Sequence, residues 1–109
     1  IGRTWNKLGT LHLFKGSNDS SIYAFEKAIE FYLQMEEPDL TRLSGVYNNM
    51  GIIYYNMSDW ENAFEFYNKC LEIDRKVYGD HHEYVTMGLT NLGSLLATQG
   101  LHKKALSYY

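Results

Sequence analysis

Apolar residues recur along this chain every three or four positions, the spacing of helices that bury one face. The clearest stretch is Tyr47 to Ile73. Its first half sets Tyr47, Met50, Gly51 and Tyr54 on one face; its second half does the same with Trp60, Ala63, Phe64, Tyr67, Cys70 and Leu71. The polar run Asn56-Met57-Ser58-Asp59 separates them, so the stretch reads as a helical hairpin.

The same pattern predicts helices on either side. Ile1 to Lys15 can turn Trp5, Leu8 and Leu11 or His12 inward. Gly16-Ser17-Asn18-Asp19 ends that helix and caps a second, which carries Ser21, Ile22, Phe25, Ala28, Ile29 and Tyr32. Pro38 suits the first turn of a third helix, where a missing N–H costs nothing. That helix runs to about Met57, with Leu43, Val46, Met50, Ile53 and Met57 as its stripe. In the fourth, Glu65–Lys69 and Glu72–Lys76 pair at i, i+4, and Gly79 is the expected stop. Asp80-His81-His82 forms a loop, and a fifth helix with Val85, Leu89, Leu92 and Leu96 ends at Gly100. Leu101 to Tyr109 opens a sixth. No strand-like alternation competes, so the fold is all-α.

A repeat underlies these helices. Gly9, Gly51 and Gly93 are spaced 42 residues apart, each behind a Leu or Met. Ser21, Ala63 and Ala105 follow in register, then Phe25, Tyr67 and Tyr109, then Ala28 and Cys70; Gly16, Ser58 and Gly100 mark the hairpin turns. A glycine inside a helix costs roughly 1 kcal/mol against Ala. Three at one phase point to close approach, each bare backbone admitting the aromatic of the facing helix. One repeat domain over residues 1–109 is expected, with units at about 2–38, 39–80 and 81–109, the last truncated. Each hairpin leaves an apolar face that only the next can bury. Further repeats or a capping helix in a longer parent protein are therefore expected.

Composition narrows the function. The chain has 109 residues, 45% hydrophobic and 21% charged, enough for one domain with a continuous core. A formal charge of −3 with interspersed signs argues against nucleic acid, and no apolar run is long enough for a membrane span. The single Cys70 cannot form an internal disulfide, which fits a reducing, cytoplasmic setting. The sequons at Asn18 and Asn56 carry no meaning there.

The residues Trp5, Leu8, Gly9, His12, Ser21, Phe25 and Ala28, with Tyr47, Met50, Gly51, Tyr54, Ala63, Tyr67 and Cys70 and with Leu92, Gly93, Leu96, Ala105 and Tyr109, resemble the tetratricopeptide repeat. His12, Ser21, Cys70 and the missing terminal Pro depart from its signature. The standard repeat has about 34 residues, so 42 leaves about two extra helical turns. That longer form is similar to the repeats of kinesin light chains, as is the run Leu71 to Gly79 followed by His82 and Val85, with Glu83 where they usually have Pro. Scaffolds that regulate G proteins are a looser match. A HEAT or armadillo array fits the period but not the spacing of the small and aromatic residues. The resemblance implies a right-handed superhelical solenoid of antiparallel hairpins and a protein-binding adaptor or scaffold without catalysis or cofactor.

Nothing catalytic competes with that expectation. Asp80-His81-His82-Glu83 offers metal-ligand residue types, but neighbouring side chains diverge, so a polar cap and loop is the better reading. His12 and His102 stand at packing positions, and Cys70 reads as buried and inert. The resemblance places the inner helices on a concave face. Its exposed positions are then Asn6, Thr10, Leu13 and Phe14; Asn48, Asn49, Ile52, Tyr55 and Asn56; and Thr90, Asn91, Ser94 and Thr98. Asn both donates and accepts, so it can hold the backbone of an extended peptide without reading its sequence, while Phe14, Ile52 and Tyr55 supply apolar contacts. Asn49 and Asn91 can instead bond only to a neighbouring helix. Chaperone-binding members of the family clamp a C-terminal carboxylate with cations. Here those positions hold Asn6, Thr10, Asn49, Met87 and Asn91, and only Asn49 matches, so tight binding of acidic chaperone tails is not expected. Two alternatives remain at this stage. One is a structural segment that self-associates through its open end at Tyr109; the other is a regulatory domain of an enzyme encoded outside this stretch.

Overall fold

A computed structural model describes residues 2–15 and 18–99, with the backbone alone at 3 and 12–15. The described residues form five helices and no strand: α1 Gly2–Lys15, α2 Asn18–Leu33, α3 Leu40–Asn56, α4 Trp60–Tyr78 and α5 Glu83–Thr98. α1 packs along α2, and α3 along α4, as antiparallel hairpins. α2 meets α3 and α4 meets α5, joining the units into an all-α solenoid. The molecule measures 42 × 31 × 18 Å. The shortest dimension fits two helix diameters of about 10 Å, one layer of inner helices (α1, α3, α5) over one of outer helices (α2, α4).

Local chemistry sets the boundaries. Asp39 caps α3: its carboxylate accepts from the Arg42 N–H at 3.3 Å and the Thr41 hydroxyl at 2.8 Å, and it pairs with the Arg42 guanidinium at 2.9 Å. Pro38 therefore precedes the helix instead of occupying its first turn, because the Asp39 carboxylate caps it and makes Leu40 the first helical residue. Asp59 caps α4 by accepting from the Asn62 N–H at 3.3 Å. Gly79 ends α4 as expected, at φ 86°, its N–H donating to the Arg75 carbonyl. The turn between α3 and α4 holds Ser58 at φ 60°, an uncommon setting for a residue with a Cβ.

The glycine notches form where they can be seen. A Cβ on Gly9 would lie 2.7 Å from the Phe25 ring, and one on Gly51 would lie 2.5 Å from the Tyr67 ring. Ser21, opposite Gly9, donates its hydroxyl to the Gly9 carbonyl at 3.1 Å. Gly93 is buried, but Ala105 and Tyr109 lie outside the described residues, as do Gly16, Gly100 and His102. A further notch was not expected: a Cβ on Gly88 of α5 would lie 3.0 Å from Leu71 of α4.

Two apolar clusters follow the layers. Phe25, Ala28, Tyr32, Leu43, Val46, Met50 and Ile53 close the seam between the first hairpin and α3. Ala63, Tyr67, Leu71, Val85, Leu92 and Leu95 close that between α3–α4 and α5. Two expected core positions, Leu8 and Met57, fail, and of the pair Leu11 or His12 the first is exposed while the side chain of the second lies outside the described residues. Leu8 and Leu11 are 36% and 49% exposed, because α1 turns Gly9 and Trp5 toward its neighbours and those two side chains fall off that face. Met57 lies past the end of α3, at its C-cap, and is exposed. Conversely Leu95, absent from the expected stripe, is fully buried.

Candidate functional site

α3 and α5 lie side by side on the inner layer, and their facing polar residues touch. Asn91 donates its amide to the Asn48 side-chain oxygen at 3.4 Å. One helical stretch further along, the hydroxyls of Tyr55 and Thr98 are 3.1 Å apart. The Tyr55 ring is held edge-on against Trp60, with centroids 5.4 Å apart. Asn48, Asn49, Ile52, Tyr55 and Asn91 are all half-buried, and Asn56, Thr90 and Ser94 are exposed. Of the two asparagines read as possible helix-to-helix bonds, Asn91 makes one, and its partner is Asn48.

Other members of the expected set are differently placed. Thr10 and Thr90 donate their hydroxyls to carbonyls one turn back in their own helices, Asn6 and Thr86. Asn6 sits on α1, with its side-chain oxygen buried and unpartnered among the described residues. The side chains of Leu13 and Phe14 lie outside the described residues.

Below the Asn48–Asn91 bridge lies a cavity of about 330 Å³, walled by Thr41, Ser44 and Gly45 of α3, by Tyr84, Met87 and Gly88 of α5, and floored by Cys70, Asp74 and Tyr78 of α4. The floor is polar and wired. Ser44 donates to Asp74 Oδ1 at 2.6 Å. The Cys70 sulfur lies 3.2 Å from the Ser44 oxygen and 3.5 Å from Asp74 Oδ2. Since the Ser44 proton goes to the carboxylate, the one thiol proton is left for Ser44 Oγ or Asp74 Oδ2. Burial pushes the Cys70 thiol up to about 11, with the Asp74 charge adding to it against the opposing Ser44 bond. The thiol therefore stays protonated at neutral pH, in keeping with an inert cysteine.

Sequence reasoning missed this floor. One signal was available: Asp74 stands three and four residues after Leu71 and Cys70, inside the apolar stripe of α4, where a carboxylate needs partners. Those partners come from Ser44, a residue thirty positions away that no local spacing marks.

At the end of α4, the Tyr78 ring stacks on His82 with centroids 4.4 Å apart and meets Tyr84 edge-on at 5.1 Å. His82 also caps α5, its Nδ1 accepting from the Tyr84 N–H at 3.1 Å. Asp80 pairs with Arg75 at 3.6 Å. The polar loop thus works as a cap, and among the described residues no three His, Cys, Asp or Glu side chains converge on a common point. Nor is any described helix long and apolar enough to cross a membrane.

The geometry can be set beside known proteins. A family model described as "Tetratricopeptide repeat" matches residues 42–109, and a second of the same description matches residues 2–34. The BBSome complex member BBS4 of Bos taurus is 28% identical over 106 residues, which are 97% of this chain but 17% of that protein. The crystal structure of BtubC (BKLC) from P. vanneervenii superposes with a TM-score of 0.81 at 20% identity, covering 98% of this chain and 42% of that one. The N-terminal domain of stress-induced protein-1 from C. elegans gives 0.80 at 17% identity, covering 98% and 77%. At those identities the two structures speak for the fold alone.

Proposed function

The chain belongs to the tetratricopeptide repeat family, whose repeats generally mediate protein–protein interaction, and from that premise we propose that it binds an extended segment of a partner along its inner face. The single observation that carries this reading is the inner face of α3 and α5, where Asn48 and Asn91 line a cavity and Asn49, Ile52 and Tyr55 are half-buried beside them in sequence. Amide side chains can hold a peptide backbone while the flanking Ile52 and Tyr55 accept apolar side chains. The role is that of an adaptor or scaffold in the cytoplasm, with no chemistry of its own, built on units at about 2–38, 39–80 and 81–109. The bovine relative, by its name a member of a multi-protein complex, supports an assembly role.

The test is a peptide-display selection on this chain, followed by titration of the selected peptides against wild type and an Asn48→Ala, Asn49→Ala double variant. The expected result is at least tenfold weaker binding with an unchanged helical circular dichroism signal, a loss of about 1.4 kcal/mol or more. Equal affinities would move the site off this face.

A further inference from the structure

Asp74 sits on the cavity floor, 7% exposed, and makes no ion pair among the described residues. Its two bonded neighbours, Ser44 and Cys70, are uncharged. Among the described residues no Lys or Arg lines the cavity, and Arg75, Lys69 and Arg42 pair elsewhere, with Asp80, Glu65 and Asp39. A carboxylate withdrawn from water costs free energy unless an opposite charge or a full set of donors meets it. Here the donors are one hydroxyl and one weak thiol, and the oxygens keep lone pairs to spare.

The cavity has the shape for the missing charge. Its volume of about 330 Å³ lies at the lower end of the range of ligand sites, which fits one long side chain better than a whole small molecule. Met87, 54% exposed, and Tyr84 form an apolar rim for an aliphatic stem. Tyr78, whose ring stacks on His82 and meets Tyr84 edge-on, lines the same cavity as the carboxylate. An acidic side chain would meet Asp74 with repulsion, and a neutral one would leave its charge unmatched.

From these observations we infer that the cavity is a pocket for a lysine or arginine side chain of the bound segment, its stem over Met87 and Tyr84 and its cationic end on Asp74. The inference deepens the groove reading by stating the chemistry of one partner residue, and it rests on that reading for the course of the rest of the segment.

The pocket can be tested without knowing the partner. Nα-acetyl-lysine N-methylamide and its norleucine counterpart, which has the stem without the ammonium, are titrated into the 109-residue chain while backbone amide resonances are followed by NMR. The lysine amide is expected to shift residues of the pocket walls saturably at millimolar concentration, and the norleucine amide to leave them in place. Asp74→Asn is expected to weaken the lysine amide at least tenfold. Since altering a buried group can disturb folding, M87K provides a second arm: an ammonium placed at the exposed rim competes for Asp74 and abolishes the shifts. Equal shifts with both amides, shifts located elsewhere, or binding that survives both substitutions would overturn the pocket. Displayed peptides that depend on Asn48 and Asn49 yet show no enrichment of lysine or arginine would overturn it while leaving the groove intact. Shifts in the pocket without any groove-dependent peptide would retain the pocket and remove the groove.

Discussion

Ser44 of α3 and Asp74 of α4, thirty residues apart in sequence, are joined by a 2.6 Å hydrogen bond beneath the surface of the inner layer. The bond ties the hairpin together at a depth where its loss cannot be made up easily by water. Ser44→Ala leaves the carboxylate with the weak thiol as its remaining protein donor, and should lower stability by about 1–3 kcal/mol. Asp74→Asn keeps an acceptor for Ser44 and removes the buried charge, so it should cost less. Urea denaturation of the two variants measures the difference; equal losses would contradict this account.

The glycines of α3 should respond in opposite directions to the same change. Gly51→Ala drives a methyl group to within 2.5 Å of the Tyr67 ring and should destabilise by about 1–3 kcal/mol, as overpacking does. Gly45, six residues earlier, has open space where its Cβ would be. Gly45→Ala should therefore stabilise by roughly 0.5–1 kcal/mol through helix propensity. Thermal melts of the pair decide it.

The α3–α4 turn offers another opposed pair. Ser58→Gly relieves a left-handed backbone and should gain up to about 1 kcal/mol. Asp59→Ala removes the cap of α4, including a 2.7 Å bond from the Asn62 amide, and should cost about 0.5–2 kcal/mol. Chemical denaturation of both variants gives the signs directly.

Alkaline pH should loosen the fold. Burial raises the Cys70 thiol from 9.0 to about 11 and the Tyr67 hydroxyl from 10.0 to about 12. Both groups are neutral in the folded chain at pH values where they ionise in the unfolded one. Their contribution is therefore full below pH 9 and is lost as pH rises through 9 to 11 for Cys70 and 10 to 12 for Tyr67. Urea midpoints should fall across that window, and in Cys70→Ala the fall should begin only where Tyr67 starts to titrate. A flat profile would contradict the burial of both groups.

What the sequence made legible was whatever repeats. Gly9 facing Phe25 and Gly51 facing Tyr67 were read from a spacing of 42 residues, because close approach of two helices permits few residue types. The start and end of α4 were legible from Asp59, whose carboxylate caps, and from Gly79, whose φ of 86° suits glycine, whereas the cap at Asp39 was not. The exposure of Leu8 was not legible, since an apolar residue near a face differs from one on it only by the rotation of the whole helix. In the groove, Asn48 and Asn91 could be placed on one face, but their bond depends on how two helices abut. The cavity floor escaped altogether: Ser44 and Asp74 acquire their meaning only when α3 and α4 lie together.

The length of α4 has a consequence of its own. This helix runs for 19 residues, to Tyr78, and Asp74 and Tyr78 both fall in its last five. A unit of about 34 residues would lack eight positions, a length of about 12 Å as helix. Taken from the end of α4, they would carry away Asp74 and Tyr78 together and leave the space between α3 and α5 bottomless. The surplus turns are thus more than a spacer between repeats. They act as a sill, and their length sets how deep a visiting side chain can reach and what it meets there.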